Sequence, residues 1–524
     1  MLRFNLKAAL LATTLIATSG LSYAEMVFNR GNAGEPGSLD PHQISGTWES
    51  DIARDQFLSL YTEAADGTII PGAAESHTVS DDGLVYTFTI RDHTWSDGVP
   101  VTAGDFEFSF KRILDPATGA GYAYLMHIIE GGAEFNGGEG SIDAVGVRAL
   151  DDKTLEVTLA SPAPYFIAQT THQTAYPVPR HIVEEYGADW SRPENIEVNG
   201  PFKVTEWSIG EVLTVEKNPL FYDAENVALD IVNFYPIEEA TAELNLYREG
   251  ALDITSSIPT DIIADVKDEF GEEVMITPYG GTYYYAFNTN IAPFDDPMVR
   301  SALSMTIDRH FIADQVDGTG IIPAYSFVPT SISGGYEVQE PSWAAMSYED
   351  RVAKATEIMA GAGYSADNPL ELVLSYNTFE AHKNIALAVA DMWAGIGVSV
   401  ELFNSDVSSH YDSLQAQDFQ VGRAGWIWDY PDAENLLALM STGVQYNYGE
   451  YSNPEFDALL AASYTQSGAE RIATMQSAEA IAMEEAALAP IYYYNSKHLV
   501  APYVEGYLAN GDDRHPSRWV SISE

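Results

Sequence analysis

The sequence predicts an α/β protein with more than one domain, and three observations lead to this class. The chain has 524 residues, which is long for one ordinary domain and suggests two or three. Segments with the two-residue alternation of strands dominate its first part, and segments in strand–helix–strand order follow in its later part. Apolar residues make up 46% and charged residues 19% of the sequence, as in a folded globular protein.

The first 24 residues are typical of a secretory signal peptide. Arg3 and Lys7 form a short positive region, an apolar stretch covers 8–21, and Ser22–Ala24 is a small-x-small cleavage site. The apolar stretch is shorter than the roughly 20 residues of a membrane-spanning helix. We therefore expect export with cleavage near Ala24, no lipid anchor and no membrane insertion of the mature chain.

The absence of cysteine excludes several classes of chemistry. Disulfides, a lipidated cysteine, thiol catalysis, cysteine zinc sites and iron–sulfur clusters all need this residue. A chain of this length buries enough apolar surface to be stable without disulfides.

The formal net charge of −52 at pH 7 argues against nucleic acid or an anionic membrane as partners. Two interpretations remain for this charge. It steers cationic ligands to the protein, or it keeps the protein soluble in a salty medium, where such fields are screened. We favour the second interpretation.

Local patterns place the first elements. Apolar residues alternate with other residues over 84–90 and 154–159, which predicts two half-buried strands. Asp296 as N-cap and Pro297 at the first helical position predict the start of a helix.

The later part combines helices and strands. Helical spacing of apolar residues covers 382–398, where Gly395 and Gly397 provide the stop, and again covers 469–486. Strand patterns at 370–376 and 398–403 flank the first of these helices, and this order indicates a parallel α/β unit. The tyrosine-rich runs 278–290 and 491–498 are also strand-like, and their tyrosines fit either a packed core or the wall of a cleft.

Signatures of catalysis are missing. The sequence contains no G-x-S-x-G elbow, P-loop, G-x-G-x-x-G or H-E-x-x-H motif. The 11 histidines are scattered singly, and the 77 acidic residues are too many for any pair to be diagnostic. We therefore expect a protein that is not an enzyme and that needs no metal or cofactor.

One segment combines charges and aromatic rings. Gly422–Leu437 places Arg423 and Asp429 six residues apart, together with Trp426, Trp428 and Tyr430. A hydrophobic core does not need these charges, and a solvated loop does not need these tryptophans. The segment fits a ligand with charged ends and an apolar body.

Four segments, at 38–46, 73–112, 283–309 and 422–437, resemble the periplasmic oligopeptide-binding proteins of ABC importers, in the peptide/nickel group of solute-binding protein family 5. The resemblance extends from about Gly31 to the C-terminus. It implies a two-lobed periplasmic-binding-protein clamshell with an extra β-rich subdomain and a two-strand hinge near Tyr279 and 491–494.

The resemblance also implies a division of the chain. Residues 1–24 are the signal peptide. The main subdomain of the first lobe is discontinuous and comprises 25–57, 182–280 and 497–524. The extra subdomain is 58–181, and the second lobe is 281–496.

The implied function is a periplasmic, monomeric binding protein that captures oligopeptides and delivers them to the transmembrane subunits of an ABC permease. The alternatives are a binder specialised for a cell-wall peptide or another small ligand and, from a different class, a secreted peptidase. An extended peptide carries a cationic amine, an anionic carboxylate and a backbone that can pair as an added strand.

By resemblance, Asp429 holds the α-amine of the peptide, and Arg423 serves its carboxylate end or braces the site. The backbone around Gly425 and Trp426 pairs with the peptide backbone. Three tyrosines align with cleft-lining positions, and one histidine matches a residue near the far end of longer peptides; these are Tyr122, Tyr279, Tyr284 and His382.

Two departures from the family pattern stand out. Gly281 and Ile427 occupy the positions of a frequent cysteine pair. Asp317, Val407 and Leu414 replace basic or aromatic residues near the carboxylate end of the ligand.

Overall fold

The structure is a computed structural model that describes residues 25–332 and 334–523. The predicted signal peptide, residues 1–24, lies outside this range. Within the described residues, no helix combines the length and the apolar composition that a membrane crossing requires.

The strands are β1 (Val27–Gly31), β2 (Tyr61–Glu63), β3 (Ile69–Pro71), β4 (Ala74–Val79), β5 (Val85–Ile90), β6 (Val147–Asp151), β7 (Thr154–Thr158), β8 (Phe202–Ser208), β9 (Val212–Lys217), β10 (Ile231–Tyr235), β11 (Val274–Phe287), β12 (Ile322–Pro323), β13 (Leu370–Asn377), β14 (Val398–Ser405), β15 (Val421–Ile427), β16 (Leu488–Leu499), β17 (Val504–Glu505) and β18 (Ser521–Ile522). The helices are α1 (Thr47–Gln56), α2 (Ala103–Leu114), α3 (Gly132–Asn136), α4 (Phe166–Gln169), α5 (Arg180–Tyr186), α6 (Ala240–Arg248), α7 (Ile263–Phe270), α8 (Pro297–Met305), α9 (Arg309–Phe311), α10 (Tyr348–Gly361), α11 (Glu380–Ala394), α12 (Val407–Gln415), α13 (Ala433–Leu437), α14 (Pro454–Ser463) and α15 (Gly468–Glu484).

The first lobe contains two four-stranded sheets. One has the order β1-β10-β9-β8, and β1 pairs in parallel with β10 although some 200 residues separate them. The other has the order β4-β5-β7-β6, is antiparallel throughout, and comes from the intervening chain. One buried cluster includes Phe28 and Phe234 from the first sheet. It also includes Phe88 from the second sheet and Phe106 from α2. The two sheets therefore share a core, which favours movement as one body.

The second lobe is built on a mixed sheet with the order β12-β16-β11-β15-β13-β14. β13 and β14 are parallel, and α11 connects them, so the predicted α/β unit is confirmed. One face of the sheet packs against α8, α10 and α11, and the other face packs against α13, α14 and α15. The predicted helix start is also confirmed, because the Asp296 carboxylate accepts a hydrogen bond from the Met298 amide at 2.8 Å.

β11 and β16 form the hinge. They pair antiparallel from Val274 opposite Leu499 to Ala286 opposite Leu488. Their outer halves belong to a small core of the first lobe, and their inner halves belong to the cores of the second lobe. The ladder is interrupted between Pro278 and Thr282, which concentrates the irregular backbone between the lobes. The predicted α/β clamshell with a two-strand hinge is confirmed.

Candidate functional site

A cavity of about 380 Å³ lies where both lobes meet the hinge. The first lobe lines it with β1, α1 and neighbouring loops, and the hinge lines it with β11 and β16. The second lobe contributes the last residue of β15 and the segment that follows. Its charged side chains are mostly paired or hydrogen-bonded to one another, and they are Arg30, Asp51, Arg54, Asp429, His498, Asp512, Asp513 and Arg514.

Asp429 is the predicted amine-binding residue, and the structure places it on the cavity wall. Its carboxylate accepts one hydrogen bond from the Asn435 amide at 3.3 Å, and its backbone N–H donates to the Asn435 side chain at 3.2 Å. Burial raises the pKa of Asp429 above its ordinary value, although the Asn435 bond and the Arg514 charge oppose this. Among the described residues, no basic side chain forms an ion pair with its carboxylate. Asp429 is therefore suited to receive a cation.

Two predicted tyrosines lie near this carboxylate. Tyr122 and Tyr279 both line the cavity and are half-buried. Burial raises the pKa of the Tyr122 hydroxyl, and the negative charge of Asp429 adds to the shift. Both hydroxyls remain protonated near neutral pH and can donate hydrogen bonds to a ligand.

Trp428 forms the wall beside Asp429. Its indole N–H donates to the Asp512 carboxylate, and its backbone N–H donates to the Gly280 carbonyl at 2.9 Å. A Cβ atom at Gly280 would lie 2.0 Å from the indole ring. Only glycine therefore allows the irregular hinge backbone to approach the cavity wall this closely.

Arg423 lies outside the cavity lining, in a second polar cluster of the second lobe. Its guanidinium donates to the Asn377 side chain and to the Tyr411 hydroxyl, both at 3.1 Å, and to the Tyr494 hydroxyl at 2.9 Å. It also lies 4.7 Å from the centre of the Tyr283 ring. Its side-chain Nε has no partner, and no carboxylate pairs with it among residues 25–332 and 334–523.

His382 belongs to the same cluster as Arg423. Its ring centre is 5.4 Å from that of Tyr283, and its Nδ1 is buried without a hydrogen-bond partner. Burial lowers the pKa of His382 to about 3, and the charge of Arg423 contributes. The imidazole is therefore neutral near pH 7, and Arg423 is the cation of this cluster.

Gly425 and Trp426 lie on an open strand edge between the two charges. β15 pairs with β11 along its whole length, from Gly281 opposite Ile427 to Phe287 opposite Val421. On its other side, β15 pairs with β13 only at Val421 and Gly422. In the described parts of the chain, no strand covers this edge from Arg423 onward. An added strand has backbone groups to pair with here.

Tyr284 is not among the residues that line the cavity, and its contact with a peptide stays a prediction. It is 3% exposed and packs in the core of the second lobe, with its ring centre 5.1 Å from that of Phe327. Alternation along β11 places Tyr283 and Tyr285 on one face of the sheet and Tyr284 on the other. Helices cover both faces, so strand periodicity alone did not reveal which tyrosines face the cleft.

The C-terminal part of the cavity was not predicted from the sequence. Arg514 pairs with Glu63 of the first lobe at 2.9 Å and donates to the Asp429 carbonyl of the second lobe at 3.1 Å. Asp512 and Asp513 precede it in a charge-dense run, Asp512–Arg514, whose charged side chains are largely buried. This run follows β16, the last long strand, where a solvated tail is the ordinary expectation. No sequence pattern indicates that the run is buried in the cavity wall.

The sequence matches the bacterial extracellular solute-binding proteins, family 5 Middle, over residues 68–448. The periplasmic oligopeptide-binding protein OppA of Escherichia coli is 38% identical over 496 residues, which cover 93% of this chain and 91% of the relative. The periplasmic murein peptide-binding protein MppA of Escherichia coli is 37% identical over 494 residues, with 93% and 91% coverage.

Two solved structures show the same arrangement of the chain. The unliganded open form of the murein tripeptide-binding protein MppA superposes with a TM-score of 0.88 at 36% identity, covering 95% of this chain and 98% of the other. The Haemophilus influenzae OppA complex with the peptide RPPGFSPFR superposes with a TM-score of 0.76 at 36% identity, covering 95% and 99%. The chain described here is thus more similar to the open structure than to the peptide complex.

Proposed function

This chain belongs to the bacterial extracellular solute-binding proteins of family 5, and we propose that it captures oligopeptides between its lobes and delivers them to an ABC-type permease. It is a binding protein in this proposal, and bound peptide leaves it chemically unchanged. The relatives named above are periplasmic, which supports export of this chain with cleavage near Ala24. We further propose that it acts as a monomer without a lipid anchor.

One observation carries the proposal. Asp429 and Arg423 have opposite charges and no ion-pair partner among the described residues, and the open edge of β15 lies between them. A buried or half-buried charge is costly unless a partner compensates it. The amine and carboxylate of an extended peptide supply both partners, and its backbone supplies the missing strand. Peptide binding thus completes three incomplete features at once.

The proposed closing movement follows from the division of the chain. In this proposal 25–57, 182–280 and 497–524 form the main subdomain of the first lobe, 58–181 the extra subdomain, and 281–496 the second lobe. Asp429 is then carried by the second lobe, while Tyr122 belongs to the first. Closure about β11 and β16 brings both onto the peptide and excludes water from the charges.

Calorimetry with tripeptides tests this function. We expect binding at micromolar or lower Kd, about −8 kcal/mol or stronger, for Ala-X-Ala peptides whose middle residue is Ala, Lys, Glu or Phe. Main-chain pairing gives affinity without reading side chains, so these values should be similar. If the Kd values of these peptides differ by about a thousandfold, and a murein tripeptide measured beside them binds most tightly, the result would instead support a specialised cell-wall peptide binder. Recovery of the peptides as fragments would show a peptidase.

A further inference from the structure

Three ligand-type side chains to which the peptide proposal gives no role converge at the hinge. They are His498 at the end of β16 and, from the segment after β17, Asp513 and His515. His498 Nε2 lies 2.8 Å and His515 Nε2 lies 3.2 Å from the same oxygen, Oδ1 of Asp513. All three ligand atoms lie within 4.8 Å of one another. Ligand atoms that coordinate one metal ion at metal–ligand distances of about 2.0–2.2 Å are separated from one another by similar distances.

A hydrogen bond fixes the ring of His498. Its Nδ1 lies 2.9 Å from the Thr255 carbonyl oxygen, which can only accept, so Nδ1 carries a proton. In the neutral tautomer, Nε2 then presents a lone pair toward the Asp513 oxygen. The 2.8 Å separation requires either a proton or a metal ion between the two atoms. Histidines that bind metals commonly have this arrangement, with the other ring nitrogen donating to a backbone carbonyl.

The surroundings of the cluster suit a cation with one open coordination position. His498 and His515 are buried, at 5% and 6% exposure, while His498 and Asp513 also line the cavity. Asp513 has a φ of +52°, a left-handed conformation that is uncommon outside glycine. Such backbone strain recurs at functional sites. Arg30, a nearby cation, is compensated by its ion pair with Asp51 at 2.8 Å.

We propose that His498, Asp513 and His515 form a site for one divalent transition-metal ion, with zinc as the best fit and an open position toward the cavity. Two imidazole nitrogens and one carboxylate oxygen match the ligands of zinc sites that retain a water molecule. Imidazole favours zinc, nickel and copper, whereas magnesium and calcium prefer oxygen ligands. The site adds a second ligand class to this chain and does not depend on peptide binding.

Titration of the full mature chain with zinc chloride tests the site. Calorimetry should show one stoichiometric zinc ion, whereas magnesium and calcium at equal concentration should show none. His498→Ala and Asp513→Asn should each weaken this site at least about tenfold. Asp513→Asn retains an oxygen acceptor for both histidines, so it removes the anionic metal ligand while keeping the shape of the cluster. His172→Ala is the matched control, because His172 is a buried histidine on the same cavity wall, and it should leave zinc binding within about twofold.

Two readouts are independent of calorimetry. Zinc should raise the Tm of the unmodified chain, and about 100-fold excess over Kd corresponds to a stabilisation of about 2.7 kcal/mol. Cobalt as a substitute should give the visible absorption of nitrogen and oxygen ligation, and Asp513→Asn should change it. If no stoichiometric zinc binds, or if both variants bind it like the unmodified chain, the proposal is overturned. In that case a doubly protonated His498 paired with Asp513 accounts for the short contact.

Discussion

The two opposite charges of the 422–437 segment, Arg423 and Asp429, are held in different ways. Asp429 lies on the wall of an open cavity, and one amide, from Asn435, donates to its carboxylate. Arg423 is 7% exposed, and three neutral oxygens and an aromatic ring surround its guanidinium. Asp429 is thus incompletely hydrogen-bonded and accessible from the cavity. Arg423 is enclosed, and its neighbours already hold its guanidinium in place.

This difference indicates how the amine end and the carboxylate end of a bound peptide contribute to its affinity. Neutral acceptors leave the positive charge of Arg423 uncancelled, so it can attract an anion while its geometry stays fixed. The carboxylate of Asp429 lacks such support, and closure of the cleft would remove its water. We therefore expect the amine end of a peptide to contribute more to binding than its carboxylate end.

The largest expected effect comes from Asp429→Ala. The variant leaves the peptide ammonium without a partner in a closed cleft, and truncations at such pairs cost about 2–5 kcal/mol. Calorimetry with a free tripeptide should show a loss of about thirty- to several-thousandfold. Asp412→Ala is the control, because it removes an exposed acid from α12 of the same lobe and should leave affinity unchanged. Equal losses in both variants would contradict the assignment.

A smaller loss is expected for Arg423→Met, which keeps the apolar stem and removes the charge. Hydrogen bonds to a charged group contribute about 1.5–3 kcal/mol, so affinity should fall about ten- to a hundredfold. A peptide with a C-terminal amide should lose little further affinity in this variant. If the amidated and the free peptide bind the unmodified chain equally, Arg423 only braces the site.

The pH dependence of peptide affinity distinguishes the contribution of Asp429 from that of Arg423. Burial raises the pKa of Asp429, so its carboxylate protonates at a higher pH than an ordinary aspartate, while Arg423 stays charged. As the pH falls toward this pKa, the cation loses its partner and peptide affinity decreases, by up to about tenfold per pH unit. Calorimetry across this range should show the decrease in the unmodified chain and in Arg423→Met. Asp429→Asn should abolish it, and a decrease that persists there would assign it to another group.

The smallest effect is expected for His382→Gln. Because the pKa of His382 is lowered to about 3, this ring carries no charge at neutral pH and adds none on mild acidification. The variant should change tripeptide affinity by less than about threefold and leave the pH profile unchanged. A large loss for tripeptides would show a direct contact with the ligand.

Local signals in the sequence predicted the elements well, and long-range contacts explain the rest. Asp296 and Pro297 mark the start of α8 by their own chemistry, and alternation marks β13 and β14. Tyr279 and Tyr284 share one strand and one residue type, yet one lines the cavity and the other packs in the core. That distinction depends on which helices cover the sheet.

The charged residues of the cavity wall could not be predicted from local sequence patterns either. Arg514 lies 85 residues from Asp429 in sequence, and the two come together because the chain returns to the first lobe after β16. The resemblance identified Asp429 and Arg423, but no periodicity indicates that Asn435, Tyr411 and Tyr494 surround them. Tertiary contacts determine these partners.

The most direct test of the account is a double-mutant cycle between Asp429→Ala and N-acetylation of the peptide. Each change alone removes the same contact between carboxylate and ammonium, so each should weaken binding strongly. The acetylated peptide should then lose little more affinity when Asp429 is replaced, because one interaction cannot be removed twice. Calorimetry of the four combinations should show this non-additivity. If the two losses add in full, Asp429 does not hold the amine, and the assignment of this motif to peptide binding is wrong.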